Sequence, residues 1–129
     1  MRQRANYALL NFGEHLGIDE RRLDVPWAEF VGDESSELTF EVAAEPDASY
    51  LEVQAYDVGS FDHEIHLNGE PLSGFDVPPA KGWQYWMDAI VGTELRVGEN
   101  SLQFVRDVDS GDSFVVGNVV VNWKEPVES

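Results

Sequence analysis

Hydrophobic side chains recur at every second position along much of this chain, and that period limits its fold more than any other feature. Leu38, Phe40 and Val42 alternate with Glu37, Thr39 and Glu41, while Leu51, Val53 and Ala55 alternate with Tyr50, Glu52, Gln54 and Tyr56. Successive side chains of an extended strand point to opposite faces, so each run reads as a half-buried strand. Further runs span His63 to Asn68, Trp83 to Val91, Ser101 to Val108 and Ser113 to Trp123, with turn signals spaced as a sandwich requires. The cluster Glu45-Pro46-Asp47-Ala48-Ser49 joins the first two runs as a hairpin or as neighbouring strands, and a loop rich in Pro and Gly covers Pro71 to Gly82. Tyr7 to Gly13 predicts a strand closing the sandwich edge. Asp24 to Gly32, with Pro26 near a first-turn position and Gly32 just past the end, predicts a short helical turn that lays Trp27 and Phe30 over one end of the core. Val115 to Trp123 is strongly β-prone and reads as a central strand, with Phe114, Val116 and Val120 or the opposite set filling the core. The expectation is a single all-β domain over residues 1–129, an antiparallel β-sandwich with one helical turn in its N-terminal third.

Charge comes next. Asp and Glu number 25 against 8 Lys and Arg, a formal net charge of −17. At a mean separation of ~20 Å, each pair of uncompensated charges repels by ~0.2 kcal/mol in unscreened water, roughly 30 kcal/mol over all pairs as an upper bound. At molar salt the screening length shrinks to ~3 Å and this repulsion nearly vanishes. The composition therefore reads as adapted to high salt and resembles that of haloarchaeal proteins. Disorder is excluded as its explanation, because 43% of residues are hydrophobic and 12% aromatic. Six scattered arginines and two lysines build no basic stripe, which argues against nucleic acid as a partner. No cysteine occurs, so disulfides, thiolate metal sites and cysteine nucleophiles drop out. No apolar run reaches membrane-spanning length, and Met1 opens the chain without an apolar leader. The expectation is a complete cytoplasmic chain without a membrane partner.

Two segments carry a more specific signal. Ile65-His66-Leu67-Asn68-Gly69-Glu70-Pro71-Leu72 runs a strand into a tight turn at Asn68-Gly69, where both residues can adopt positive φ. Leu95-Arg96-Val97-Gly98-Glu99-Asn100-Ser101-Leu102 breaks between two apolar runs at Gly98-Glu99-Asn100. Together they resemble the galactose-binding-like β-sandwich superfamily, in which one strand ends in Leu-Asn-Gly and a later one opens with Leu-x-x-Gly-x-Asn-x-Leu. The resemblance extends more loosely from Leu38 to Trp123. It implies a jelly-roll sandwich and a range of tasks, from sugar binding to accessory domains of glycosidases and interaction domains, and it names a scaffold rather than a task. Loops of that superfamily often carry calcium.

The residues themselves offer one candidate surface. Tyr50, Glu52, Gln54 and Tyr56 share one face of a strand, ~7 Å apart at successive positions. Aromatic rings stack on the apolar face of a pyranose while carboxylates and amides meet its hydroxyls. In Trp83-Gln84-Tyr85-Trp86-Met87-Asp88 either row can face out; the expectation is that Trp83, Tyr85 and Met87 enter the core and that Gln84, Trp86 and Asp88 extend the platform. The plainer reading of such rows is ordinary sheet surface or a subunit contact.

Asp107, Asp109 and Asp112 place three carboxylates in six residues, the oxygen ligands that calcium prefers. The run lacks the glycine and glutamate of an EF-hand loop, and an acidic hairpin turn explains it equally; no other cofactor is suggested. Asp57 to Glu64 is a second oxygen-rich loop. His63 and His66 lie three apart in a strand context rather than on a zinc-protease helix, and they point to opposite faces. The sequence carries no nucleophile elbow, phosphate loop or dinucleotide fingerprint, and among 25 acids a carboxylate pair at glycosidase spacing means little. The functional expectation is a non-enzymatic module binding a carbohydrate or small ligand, with a protein-interaction or self-assembly module as the alternative and a glycan-active enzyme last. Oligomeric state is left open.

Phe40→Ala and Phe104→Ala should each lose ~3–5 kcal/mol by leaving a cavity. Thermal melting checks this, and an unchanged melting temperature in either variant would reverse the inward and outward assignment.

Overall fold

A computed structural model describes residues 2–73 and 77–127; the segment 74–76 of the expected Pro71–Gly82 loop lies outside the described residues. Among the described residues nine strands form two sheets: β1 (Gln3–Leu16), β2 (Glu29–Gly32), β3 (Leu38–Val42), β4 (Asp47–Tyr56), β5 (Glu64–Leu67), β6 (Glu70–Pro71), β7 (Trp83–Ala89), β8 (Gly98–Val105) and β9 (Phe114–Pro126). The larger sheet has the order β2-β1-β9-β4-β7 and the smaller β3-β8-β5-β6. Every pairing is antiparallel except that of β1 with β2. The fold is an all-β sandwich, as the alternating pattern requires.

The core lies between the sheets. Leu51, Val53 and Ala55 of β4 meet Phe40 and Val42 of β3 and Leu102 and Phe104 of β8 in one buried cluster, and the Phe12 ring meets Phe104 edge-on at 5.2 Å. β9 changes its inward set part-way along. Phe114 and Val116 face in at its start, and Val119, Val121 and Trp123 face in after Gly117. The switch coincides with register irregularities between Asn11 and Glu14 of β1 and between Val53 and Ala55 of β4, a bulge that moves every later side chain to the other face.

The turn signature has a physical reason in the structure. Asn68 and Gly69 adopt φ of 53° and 82°, the two positive values of a tight hairpin between β5 and β6. Asn68 Nδ2 donates to Asn100 Oδ1 at 3.0 Å, and Asn68 Oδ1 accepts from the Ser101 N–H at 2.8 Å. Asn100, buried, also accepts from the Arg96 N–H and donates to the Arg96 and Gly98 carbonyls. Two asparagines thus satisfy the backbone groups of two turns that ladder bonds cannot reach.

Four local expectations need correction. The Glu45–Ser49 turn does not join neighbouring strands, because β3 and β4 belong to opposite sheets. β1 is no edge; it sits between β2 and β9. The helical turn of the N-terminal third lies earlier than residues 24–32: the single 3-10 turn among the described residues is Glu20–Arg22, capped by the Asp19 side chain, and after one turn closed by the Ala28 N–H on the Val25 carbonyl the chain extends into β2, which pairs with β1. Trp27 is consequently displaced from the end of the core. β8 begins at Gly98, opposite Val42, so Gly98 and Glu99 belong to the ladder rather than to a break.

Buried charge is paired. Glu125 accepts from Trp123 Nε1 at 3.0 Å, from Arg4 Nε at 2.9 Å and from Asn6 Nδ2 at 3.2 Å, and these bonds, that of Trp123 foremost, hold its carboxyl below the usual range. Glu14 accepts from the Ser36 N–H and hydroxyl, tying β1 to the chain entering β3.

Asn100→Ala should destabilise the fold by ~1–3 kcal/mol, since it orphans the Arg96 N–H and two carbonyls in a buried turn. Chemical denaturation measures the loss; a midpoint within error of the parent would show that water replaces these bonds without penalty.

Candidate functional site

The larger sheet turns one face to the core and one to solvent, and the outer face gathers the rings. On β4 the outward residues are Tyr50, Glu52, Gln54 and Tyr56, alternating with buried Leu51, Val53 and Ala55. β7 pairs with β4 so that Trp83 opposes Tyr56, Tyr85 opposes Gln54 and Met87 opposes Glu52. Directly opposed residues share a face. Trp83, Tyr85 and Met87 therefore lie on the outer face, 48%, 61% and 60% exposed, and Gln84, Trp86 and Asp88 lie on the inner side.

This reverses the expected facing of the β7 row. Trp86 and Asp88 line a small apolar cleft with Leu51, Val53 and Leu72, and Gln84 Nε2 donates to the Pro78 carbonyl at 2.7 Å. The cause is a clamp at the mouth of the β4–β7 pair. The Asp57 N–H donates to the Gly82 carbonyl, the Gly82 N–H donates to Asp57 Oδ1, and both residues adopt positive φ. The clamp seats Trp83 opposite Tyr56, and a slip of one residue would have inverted the row.

At the Tyr56 end the Trp27, Tyr56 and Trp83 rings meet pairwise, with centroids 5.6, 5.3 and 5.2 Å apart. Trp27 reaches them from the loop before β2, a juxtaposition that no local pattern in the chain announces. Beneath them Gly117 leaves the bulge bare. A methyl group there would stand 2.5 Å from Gln54 Oε1 and 3.2 Å from the Trp83 ring, so the missing side chain lets both lie close on the sheet.

In the middle of the face Glu52 is held from two sides. Tyr85 donates its hydroxyl to Glu52 Oε2 at 2.6 Å, and Asn122 Nδ2 of β9 donates to Oε1 at 2.7 Å. The phenol of Tyr85 is pushed above its usual range, first by that bond to Glu52. Gln54 Oε1 accepts from the Asn118 N–H at 3.2 Å. On β1 the same face continues through Tyr7 and Leu9, both exposed and opposite Asn122 and Val120.

Asp107, Asp109 and Asp112 do not converge, and no group of three or more acidic or histidine side chains arranged to hold a metal exists among the described residues. Their loop closes on protein donors. The buried Arg106 guanidinium donates to the Asp107, Ser110 and Asp112 carbonyls and to Asp33 Oδ1. Asp107 Oδ1 accepts from the Asp109 N–H. Asp112 Oδ2 lies 2.6 Å from His63 Nε2 and accepts from the Gly59 N–H. His63 Nδ1 accepts from the Asp107 N–H, which leaves Nε2 as the protonated nitrogen facing Asp112. His63 is buried outside the strands, tying the two oxygen-rich loops together, whereas His66 lies beside Glu64 at 3.1 Å.

The model of a family of unknown function, DUF7383, matches residues 4–125. No curated protein matches the sequence. Among solved structures, a family 35 carbohydrate binding module from an environmental isolate superposes with a TM-score of 0.60 at 14% identity, covering 95% of this chain and 98% of that one. The CBM36-1 domain of a multidomain xylanase from the hindgut metagenome of Trinervitermes trinervoides gives 0.53 at 9% identity, covering 96% and 100%. The GH26-CBM35 β-(1,4)-mannanase of Podospora anserina gives 0.50 at 13%, with 74% of this chain matching 20% of that one. At these identities the likeness is one of fold alone, a β-sandwich of two packed sheets.

Glu52→Gln should lower the titration of Tyr85 toward the ordinary phenol value of about 10, because the carboxylate that retains its proton is gone. Tyrosinate absorbance across an alkaline titration checks the direction; an unmoved curve would mean that the Tyr85–Glu52 bond does not persist in solution.

Proposed function

The chain belongs to DUF7383, a family of unknown function, and we propose that it is a non-catalytic module that binds carbohydrate on the outer face of its larger sheet. The observation that carries this reading is the combination on β4 and β7 of the exposed Trp83 and Tyr85 rings and the half-buried Tyr56 ring with a hydrogen-bonded Glu52 and Gln54 between them. Rings offer flat apolar contact to a pyranose, and the carboxylate and amide meet its hydroxyls. Support comes also from the sandwich this chain shares with proteins described as carbohydrate binding modules. Tyr50, Glu52, Gln54 and Tyr56 are the site on β4, joined by Trp83 and Tyr85 and by Trp27 at one end; Gln84, Trp86 and Asp88, on the inner side of β7, serve the edge of the core. No metal is assigned to this site. The acidic surface suits a salt-rich setting, where screening suppresses its self-repulsion.

A second reading is protein association through the β1 side of the same face, where Tyr7 and Leu9 are 65% and 58% exposed beside Val120. Apolar surface of this kind also marks subunit contacts. Light scattering in molar KCl separates the two, since a monomer at all concentrations removes self-association.

On a glycan array in molar KCl the protein should bind at least one carbohydrate. Trp83→Ala and Tyr56→Ala should lose ~1–2 kcal/mol of that binding, while Trp86→Ala keeps it. An array without a single hit would end the carbohydrate reading.

A further inference from the structure

Glu52 has a geometry that selects among carbohydrates. Tyr85 holds one of its oxygens and Asn122 the other, at 2.6 and 2.7 Å, one donor from each neighbouring strand. A carboxylate oxygen accepts more than one hydrogen bond, so two donors set the direction of the group without exhausting it. Two acceptor oxygens at fixed spacing suit two adjacent sugar hydroxyls, each a donor, and hydrogen bonds to an ionised acceptor are the stronger kind. A uronate or sulfate at the same place would set anion against anion. The outward neighbours of Glu52 on β7 and β9, namely Tyr85, Met87, Val120 and Asn122, include no base to neutralise the pair, and the whole chain carries −17.

The dimensions of the face bear on ligand length. Tyr50 and Tyr56 stand six residues apart on β4, about 20 Å along the strand. Trp83, Tyr85 and Met87 accompany them on β7 at alternate positions. A single pyranose contacts only part of such a row, whereas a linear chain lying along β4 and β7 meets rings, then Glu52, then Tyr50 in succession. Resting on the carbohydrate reading above, we propose that this site takes an extended, uncharged polysaccharide segment, with Glu52 accepting hydrogen bonds from adjacent hydroxyls of an internal sugar.

Gly117 is a positioning residue in this arrangement. The atoms a methyl group would strike are the ends of the Gln54 and Trp83 side chains rather than backbone, so Gly117→Ala displaces the Gln54 amide first, crowds the Trp83 ring, and leaves the fold standing. Its effect separates a shaped platform from incidental aromatic exposure.

The test is calorimetric titration of the full chain in molar KCl with neutral manno-, xylo- and cello-oligosaccharides, from monosaccharide to hexasaccharide, and with an oligogalacturonate series of the same lengths. For the preferred neutral series, affinity should rise at least about tenfold from monosaccharide to tetrasaccharide and then level off, with oligogalacturonates at least about tenfold weaker. Glu52→Gln should narrow the gap between neutral and acidic ligands. Gly117→Ala should weaken the neutral tetrasaccharide about tenfold at an unchanged melting temperature. Equal affinity for monosaccharide and hexasaccharide, oligogalacturonates binding as well as neutral chains, or full binding by Gly117→Ala would overturn the inference while leaving carbohydrate binding in place. Failure of every oligosaccharide to bind would remove both.

Discussion

The pairing of β9 with β1 on one side and β4 on the other governs this molecule. β9 is the middle strand of the larger sheet, and Phe114, Val116, Val119, Val121 and Trp123 supply its inner row while Asn118, Val120 and Asn122 supply its outer one. Along the thirteen residues of β9 the register shifts around Gly117 against both neighbours, and this bulge exchanges the inner and outer rows. The same bulge shapes the outer surface, because a residue without a side chain at that point lets Trp83 and Gln54 settle against the backbone. Core and candidate site are two faces of one strand alignment.

With so many acids, the few cations matter by position. Arg4 partners the buried Glu125, and Arg106 lies buried among three carbonyls and the Asp33 carboxylate. Burial of a charge is tolerable only when it is paired and hydrogen-bonded, and Glu125 and Arg106 both meet that condition. Arg106 does in its loop what a bound cation does elsewhere, gathering carbonyl oxygens that would otherwise repel one another. The remaining acids are mostly exposed, where screening by salt moderates their mutual repulsion.

The outer face owes its chemistry to edge position. Among the described residues β7 pairs with β4 alone, and its inner row, at the margin of the core, stays partly exposed, with Trp86 at 36%. Hydrogen bonds from Tyr85 and Asn122 turn Glu52 from a solvated acid into an oriented one. Trp27, arriving from a loop, completes a ring cluster that no single strand could present.

The alternation of Leu38, Phe40 and Val42 and of Leu51, Val53 and Ala55 was enough to determine a two-layered β structure, because burying a period-two face requires a second layer. Leu67-Asn68-Gly69 was enough to place the β5–β6 turn, since its two positive φ values are a local property, whereas the expected break at Gly98-Glu99-Asn100 proved to be the start of β8. Partner choice lay beyond that reach. Which sheet each strand joins, how β9 bulges against β1 and β4, and which row of Trp83 to Asp88 looks outward depend on contacts between residues far apart in the chain, such as the clamp between Asp57 and Gly82 and the long pairing of β1 with β9. The roles of His63 and Arg106 were hidden for the same reason, as their partners come from separate loops. A strand pattern specifies which side chains share a face, but only the packed pair of sheets decides which face meets the core and which meets water.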